Sequence, residues 1–559
     1  LIILTKKVKM NCRRFLRLQN GINIILSFLL LVHLSFYKSY AAVSQTPPMG
    51  WNSYDCLNHS VTEEQVKAAA DYMAANLKEY GWEYICIDWA WYYTGNSTGS
   101  PNQDNNFNPN LVLDEYSRML PDPAKFPSSA NGKGFKPLAD YIHSKGLKMG
   151  VHLMRGIPRQ AVAVNSAIKG TTTKAADVAD KVNVCFWLNL MWGLNMNNPA
   201  SQTYLNSLFE LYASWGLDFV KVDDLINPYA APGFRTSEVE GYRKAIDNCG
   251  REMVFSTSPG ATPLANASQV KQYANQWRMA NDLWDNWGEL NAMFDLAANW
   301  HTHAGPGHWP DADMIPIGRL NKHGPTGAER WSNLTSDEKY TMMTLWIIAR
   351  SPLIWGGNLV ENRAEELKLM QNSEAIAVNQ KSTNSRPVVN GNTPVWCADI
   401  QGDSGKYVAI FNRNNSASEI TVKFSDIGLT GPVYVRDLWA KADKGNFTES
   451  FKMTVPSHGS ALFKMAGEPP ISIAQAQKTH PDNLVNGFRT ITSKGSISIL
   501  PDARVPDFSV KIHSLDGRLV KSVSGSNGAV TIPMQRNGTF IVAVVFGSYK
   551  VSKIISISF

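Results

Sequence analysis

Five acids close short apolar runs in this chain: Asp88, Asp223, Asp224, Asp282 and Asp313. A carboxylate ending an otherwise apolar strand costs free energy unless it is paired or used. Five of them converging on one face therefore mark a site rather than five separate caps. Strand residues alternate faces, so Lys221 shares a face with Asp223, and Arg278 with Asp282. A cation beside a carboxylate keeps it ionised and nucleophilic, and it can also hold a hydroxyl. Two structural ion pairs would leave the same pattern. Two acids facing each other across a pocket are what glycoside hydrolysis requires, one attacking the anomeric carbon and the other protonating the leaving oxygen. A separation of about 5–5.5 Å would give retention of configuration. Mg²⁺ or Ca²⁺ wants several oxygen ligands, whereas these acids have cations and indoles beside them. No metal and no organic cofactor is called for.

The elements that must position these residues repeat. Residues 62–80 read as a helix: Thr62 and Gln65 form a capping box, Val66, Ala69, Met73 and Leu77 share a face, and Gly81 ends it. A short apolar strand, 84–88, follows. The same helix–glycine–strand unit recurs at Gly146, Gly216 and Gly250, with strands at 147–153, 217–224 and 253–258. Further strands are expected at 48–52, 276–282, 307–313 and 352–356, which makes eight. Short apolar strands alternating with amphipathic helices predict a parallel sheet covered on both faces. Their spacing suits a (β/α)8 barrel, whose chemistry sits at the C-terminal strand ends. No Gly-rich dinucleotide fingerprint follows the first strand.

The chain has 559 residues, 44% of them hydrophobic and 18% charged, which excludes a disordered or collagenous chain. Its formal charge of +7 is confined to the N-terminus. Residues 1–42 carry seven Lys or Arg and no acid, and the remainder balances 47 basic against 47 acidic side chains. No electrostatic footprint for nucleic acid is left. The basic segment, the apolar run 22–34 and the small residues Ala41 and Ala42 predict a secretory signal peptide. An uncleaved anchor is the alternative. Beyond Cys12, five scattered cysteines show neither a zinc pattern nor a disulfide framework.

The motifs resemble those of glycoside hydrolase family 27, the α-galactosidase and α-N-acetylgalactosaminidase group. They are Pro47-Pro48-Met49-Gly50-Trp51-Asn52-Ser53, 84–88, Lys221-Val222-Asp223, Trp277-Arg278-x-x-x-Asp282, the run from Ala304 to Met314, and Ser351-Pro352-Leu353. Their order is the family's, and they cover about 43–466. The resemblance implies Asp223 as nucleophile and Asp282 as acid/base. It implies Trp51 packing on the sugar, Asp88, Lys221 and Arg278 binding hydroxyls, and Asp313 near the pocket rim.

Three departures bear on the sugar. The second aspartate of the family's Asp-Asp pair is Trp89. Ser258 stands where galactosidases carry a glutamate for the 2-hydroxyl, as in the N-acetylgalactosaminidases. The family's disulfide between its third and fourth strands is missing, with Leu225 at one of its positions. The expected function is a retaining exo-glycosidase of terminal α-D-galactose. An α-N-acetylgalactosaminidase or a β-L-arabinopyranosidase on the same scaffold is the alternative, and a glycan-binding protein without turnover is the rival from another class.

Four segments are expected: a leader at 1–42, the barrel at 43–384, an antiparallel β domain at 385–466, and a small β-sandwich at 471–559. The last, with Val510–Val520, Asn537–Val542 and Lys553–Ile555, resembles the C-terminal sorting domain of type IX secretion substrates. That resemblance implies secretion machinery as a partner and an extracellular or cell-surface location.

Overall fold

The computed structural model describes residues 43–94, 110–185, 188, 190–226, 233–324, 326–467, 488–493, 496–501, 508–525, 530–534, 537–546 and 549–557. The signal-peptide segment and the linker at Pro469-Pro470 lie outside them.

Among the described residues, eight parallel strands form one curled sheet. They are β1 (Met49–Asn52), β2 (Tyr84–Ile87), β3 (Lys148–Met154), β4 (Phe219–Asp223), β5 (Val254–Thr257), β6 (Gln276–Arg278), β7 (Trp309–Asp311) and β8 (Leu353–Trp355). The order is β7-β6-β5-β4-β3-β2-β1-β8. The sheet closes through Ile315, just past β7, which bridges in parallel to Trp355. The Ile315 N–H donates to Ile354 O at 2.7 Å and the Gly356 N–H to Ile315 O at 3.0 Å. This is the predicted (β/α)8 barrel. β6 and β7 are shorter than expected, three residues each, so Asp282 and Asp313 lie on loops beyond them.

The helices form for the reasons their ends give. In α1 (Glu63–Asn76) the Gln65 N–H donates to Thr62 Oγ1, and Gln65 Oε1 accepts from the Thr62 N–H at 2.9 Å. The α-helix stops at Asn76 rather than Tyr80, and a 3₁₀ turn, Lys78–Tyr80, completes the segment before Gly81 at φ +101°. In α2 (Pro199–Trp215), Asn198 caps the N-terminus with Pro199 in the first turn, and Gly216 follows at φ +90°. Proline at the start and glycine just past the end fit a helix without cost.

Inward residues fill the barrel in layers. Tyr84, Cys86, Phe219 and Val254 pack together at the bottom, each apolar side chain contributing about 1.5–3 kcal/mol by leaving water. Gly150 makes this packing possible: a Cβ there would lie 2.8 Å from Cys86 Sγ and 3.0 Å from Phe219 Cβ. Above this layer β3, β4 and β5 present His152, Lys221 and Ser256 in register.

By contacts the chain divides into two compact units. The first holds the barrel together with Ala409–Ile420 and Thr454–Ala461. The second holds Cys397–Val408, Thr421–Met453 and Leu462–Phe559. After the barrel, a six-stranded antiparallel sheet begins at Ser382–Val389 and ends with Ser460–Ala466 as its last strand in sequence. At the C-terminus a three-stranded and a four-stranded sheet enclose Phe488, Ile497, Phe508, Val510, Ile512 and Phe540, a small β-sandwich.

Candidate active site

Asp88 immediately follows β2 and is fully satisfied. Its Oδ2 accepts from Asn52 Nδ2 at 2.8 Å and from Lys221 Nζ at 3.3 Å, and its Oδ1 accepts from the Trp89 N–H at 2.9 Å. Its own N–H donates to Ser53 Oγ at 3.0 Å. Burial alone would raise this carboxyl; Lys221, His152 and these donors overcome burial and hold it at about 2. Lys221 is shifted the other way: burial opposes its charge, and Asp88 more than offsets that. The pair is buried and ionised. Lys221 thus pairs with Asp88 rather than with Asp223, which corrects the expectation drawn from parity. Side chains two apart on one strand start about 7 Å apart, and Asp88 lies closer to the ammonium.

Asp223, the last residue of β4, takes its side-chain hydrogen-bond partner from β3 instead. His152 Nε2 lies 3.1 Å from Asp223 Oδ2, and the Asp224 N–H donates to Asp223 Oδ1 at 2.7 Å. Burial raises the Asp223 carboxyl, but His152, Lys221 and the Asp224 N–H reverse this and leave it below the usual carboxylate range. It stays ionised and hydrogen-bonded through both oxygens, while a carboxylate has lone pairs to spare for attack. His152 escaped the sequence reading. The inward parity of β3, with Gly150 facing the core, was the signal that could have found it.

Arg278 joins two acids. Its Nη2 lies 2.7 Å from Asp313 Oδ2 and 3.3 Å from Asp282 Oδ1. Asp313 also accepts from the Leu283 N–H at 2.8 Å, so it anchors the loop that carries Asp282. Burial pushes the Asp313 carboxyl up, and Arg278 opposes this. Asp313 is buried, not at the rim as expected, because the chain beyond β7 turns back into the barrel to make the Ile315 bridge. The Asp282 side chain is 60% exposed, against 15% for Asp223. Two carboxylates in such different surroundings are the arrangement that separates a nucleophile from an acid/base.

Both acids lie within electrostatic reach of the same two side chains, Tyr54 and Arg278. The Tyr54 hydroxyl is kept protonated first by burial, then by the charges of Asp282, Asp88, Asp55 and Asp223 together. Arg278 likewise feels both Asp282 and Asp223. Trp51 is buried, with Nε1 donating to Gly357 O at 2.9 Å. Trp89 is 2% exposed and packs edge-on against Tyr93 and His59. Ser258 is buried beside β4, its N–H donating to Val222 O at 2.9 Å. Asp224 is the one strand-end acid turned away from the pocket: it pairs with Arg155. Among the described residues no cluster of three His, Cys, Asp or Glu side chains is set to hold a metal ion.

A profile described as α-galactosidase A matches residues 46–163 and 167–381, and one for the α-galactosidase C-terminal β-sandwich domain matches 390–465. The chain belongs to the α-galactosidase A family. It is an O-glycosyl hydrolase on a TIM barrel. A β-L-arabinopyranosidase of glycoside hydrolase family 27 from Geobacillus stearothermophilus is 45% identical, with a TM-score of 0.74 over 77% of this chain and 99% of that one. α-Galactosidase 3 of Arabidopsis thaliana is 29% identical over 75% of this chain and 82% of its own. α-Galactosidase A of Cellvibrio japonicus is 26% identical over 80% and 98%. Family membership accounts for the order of the six motifs; the geometry around Asp223 and Asp282 is this chain's own.

Proposed function

We propose that the chain is a retaining, exo-acting hydrolase of terminal galacto-configured pyranosides. Asp223 attacks the anomeric carbon while Asp282 protonates the leaving oxygen, and Asp282 then activates the water that releases the sugar. The observation that supports this is the contrast between the buried, hydrogen-bonded Asp223 and the exposed Asp282, both of which act electrostatically on the Arg278 guanidinium. Asp88, Lys221 and Arg278 bind ring hydroxyls, Trp51 packs on the sugar, and Asp313 positions Arg278 and the Asp282 loop.

The α-D-galactoside is the first substrate of this reading. A second, the β-L-arabinopyranoside, is favoured by Trp89. Arabinopyranose is galactose without its 6-carbon, and an indole stands next to Asp88 where a second carboxylate would hold outer hydroxyls. The relative from Geobacillus supports the same choice. Kinetics on aryl α-galactoside, α-N-acetylgalactosaminide and β-L-arabinopyranoside, with the first-formed anomer followed by NMR, test both readings. Retention with the galactoside or the arabinopyranoside as best substrate is expected. Binding of glycans with no turnover on any of the three would replace the enzyme by a lectin-like protein.

Export is also proposed, on the basic and apolar pattern of residues 1–42 and the sorting-domain resemblance of the C-terminal sandwich. Mass spectrometry of the protein recovered outside the producing cell is expected to show a new N-terminus near Val43 and loss of the C-terminal sandwich. An intact Phe559 on the exported protein would remove the sorting role.

A further inference from the structure

Asp224 adopts φ +61°, the left-handed region that, glycine apart, mainly Asn and Asp visit as single residues. In that conformation its N–H points at Asp223 Oδ1, 2.7 Å away. Two guanidiniums hold it, that of Arg155 most closely and that of Arg235, whose Nη2 lies 3.7 Å from Asp224 Oδ1. Arg155 Nη2 and Nε donate to Asp224 Oδ2 at 2.6 and 2.9 Å, and Nε also donates to the Asp224 carbonyl oxygen at 2.9 Å. The far side of the guanidinium is held as well: Nη1 donates to Glu238 Oε1 at 2.7 Å and Nη2 to Asn183 O at 2.9 Å. Arg235 Nε adds a second donor to the Asp224 carbonyl at 3.0 Å. Arg155 is 2% and Asp224 1% exposed.

The placement of this clasp gives it meaning. Met154 and Asp223 are the last paired residues of β3 and β4, and the Arg155 N–H extends the ladder to Asp223 O at 3.0 Å. The clasp therefore closes one residue past the nucleophile. A plain ion pair would be satisfied by the carboxylate alone in several backbone conformations. Gripping both the carboxylate and the carbonyl of one residue leaves only a narrow range of φ and ψ, and so fixes where its N–H points.

We propose that Arg155 is a positioning residue for glycoside hydrolysis: by clamping Asp224 at both carboxylate and carbonyl, it aims the Asp224 N–H at the attacking carboxylate of Asp223. The proposal rests on the assignment of Asp223 as nucleophile. An aimed N–H holds the plane of that carboxylate and favours its ionised form. Arg155 touches no substrate and acts only through its neighbour.

The decisive comparison is Asp224→Ala against Asp224→Gly in the full chain. Both remove the carboxylate, but only glycine accepts φ +61° freely. If the clamp works through the backbone, alanine moves the acidic limb of kcat/KM upward by about one pH unit and lowers kcat by about tenfold. Glycine is expected to give less than half of either effect. Equal shifts in the two variants overturn the proposal and assign the effect to the lost charge. Arg155→Lys keeps the charge without the fork, and its acidic limb is expected to follow that of Asp224→Ala. An unchanged limb with only a lower unfolding temperature would make Arg155 merely structural and also overturn the proposal. Should Arg155→Lys fail to fold, the Asp224 pair still decides. Azide rescue of Asp223→Gly reads the nucleophile assignment independently of both.

Discussion

Asp223→Gly is expected to lower turnover by on the order of 10⁴-fold or more, as loss of a covalent nucleophile does. Azide should then restore product formation, as a glycosyl azide of inverted configuration. The structure gives the reason for the size of the effect. Among the described residues, three of the neighbouring acids are held elsewhere. Asp88 is committed to Lys221 and Asn52, Asp313 to Arg278 and the Leu283 N–H, and Asp224 faces away into the Arg155 clasp. Glycine vacates the space beside His152, where a small anion is expected to enter. Polarimetry or NMR on the azide adduct checks the outcome. A variant that keeps more than a few per cent of wild-type turnover without azide would remove Asp223 from the chemistry.

Asp282→Ala is expected to separate substrates by their leaving groups. For a poorly departing alcohol, loss of the proton donor should reduce kcat/KM by about 10²–10⁴-fold. For a dinitrophenyl glycoside, which needs no proton, kcat/KM should stay near wild type. Its kcat should still fall, because the glycosyl-enzyme then lacks a base to activate water. Azide should raise that kcat and give an azide of retained configuration, the opposite of the Asp223 result. Stability should hardly change: the side chain is 60% exposed and its nearest charge partner is Arg278 at 3.3 Å. Exposed substitutions of this kind usually fall within about 0.5 kcal/mol. Equal losses across leaving groups would deny Asp282 the role of acid.

The barrel was legible because its signals are local and repeated. Two of its helices carry a readable start, Thr62 with Gln65 and Asn198 before Pro199, and each of these is followed by an apolar strand. The candidate acids stood out for the same reason, because they end apolar strands. The partnerships were not. Parity puts Lys221 on the face of Asp223, but it cannot say that Asp88 from β2 lies nearer to the ammonium. His152 looked like any strand residue until register set it level with Lys221. Asp282 obeyed no parity, because β6 stops at Arg278 and the loop beyond is held by Asp313. Asp224 read as one more pocket acid, although alternation already turned it outward. Partnerships of this kind come from curvature and chain reversal, which one-dimensional spacing does not carry.

The openness of the Asp282 side of the pocket affects more than hydrolysis. On the proposed mechanism, the sugar held on Asp223 would face an acid that is 60% exposed, where hydroxyl compounds other than water are expected to arrive. A dissolved saccharide arriving there can lose its proton to Asp282 and accept the sugar in place of water. In a medium crowded with carbohydrate, the same molecule would build new glycosidic linkages while it cleaves old ones.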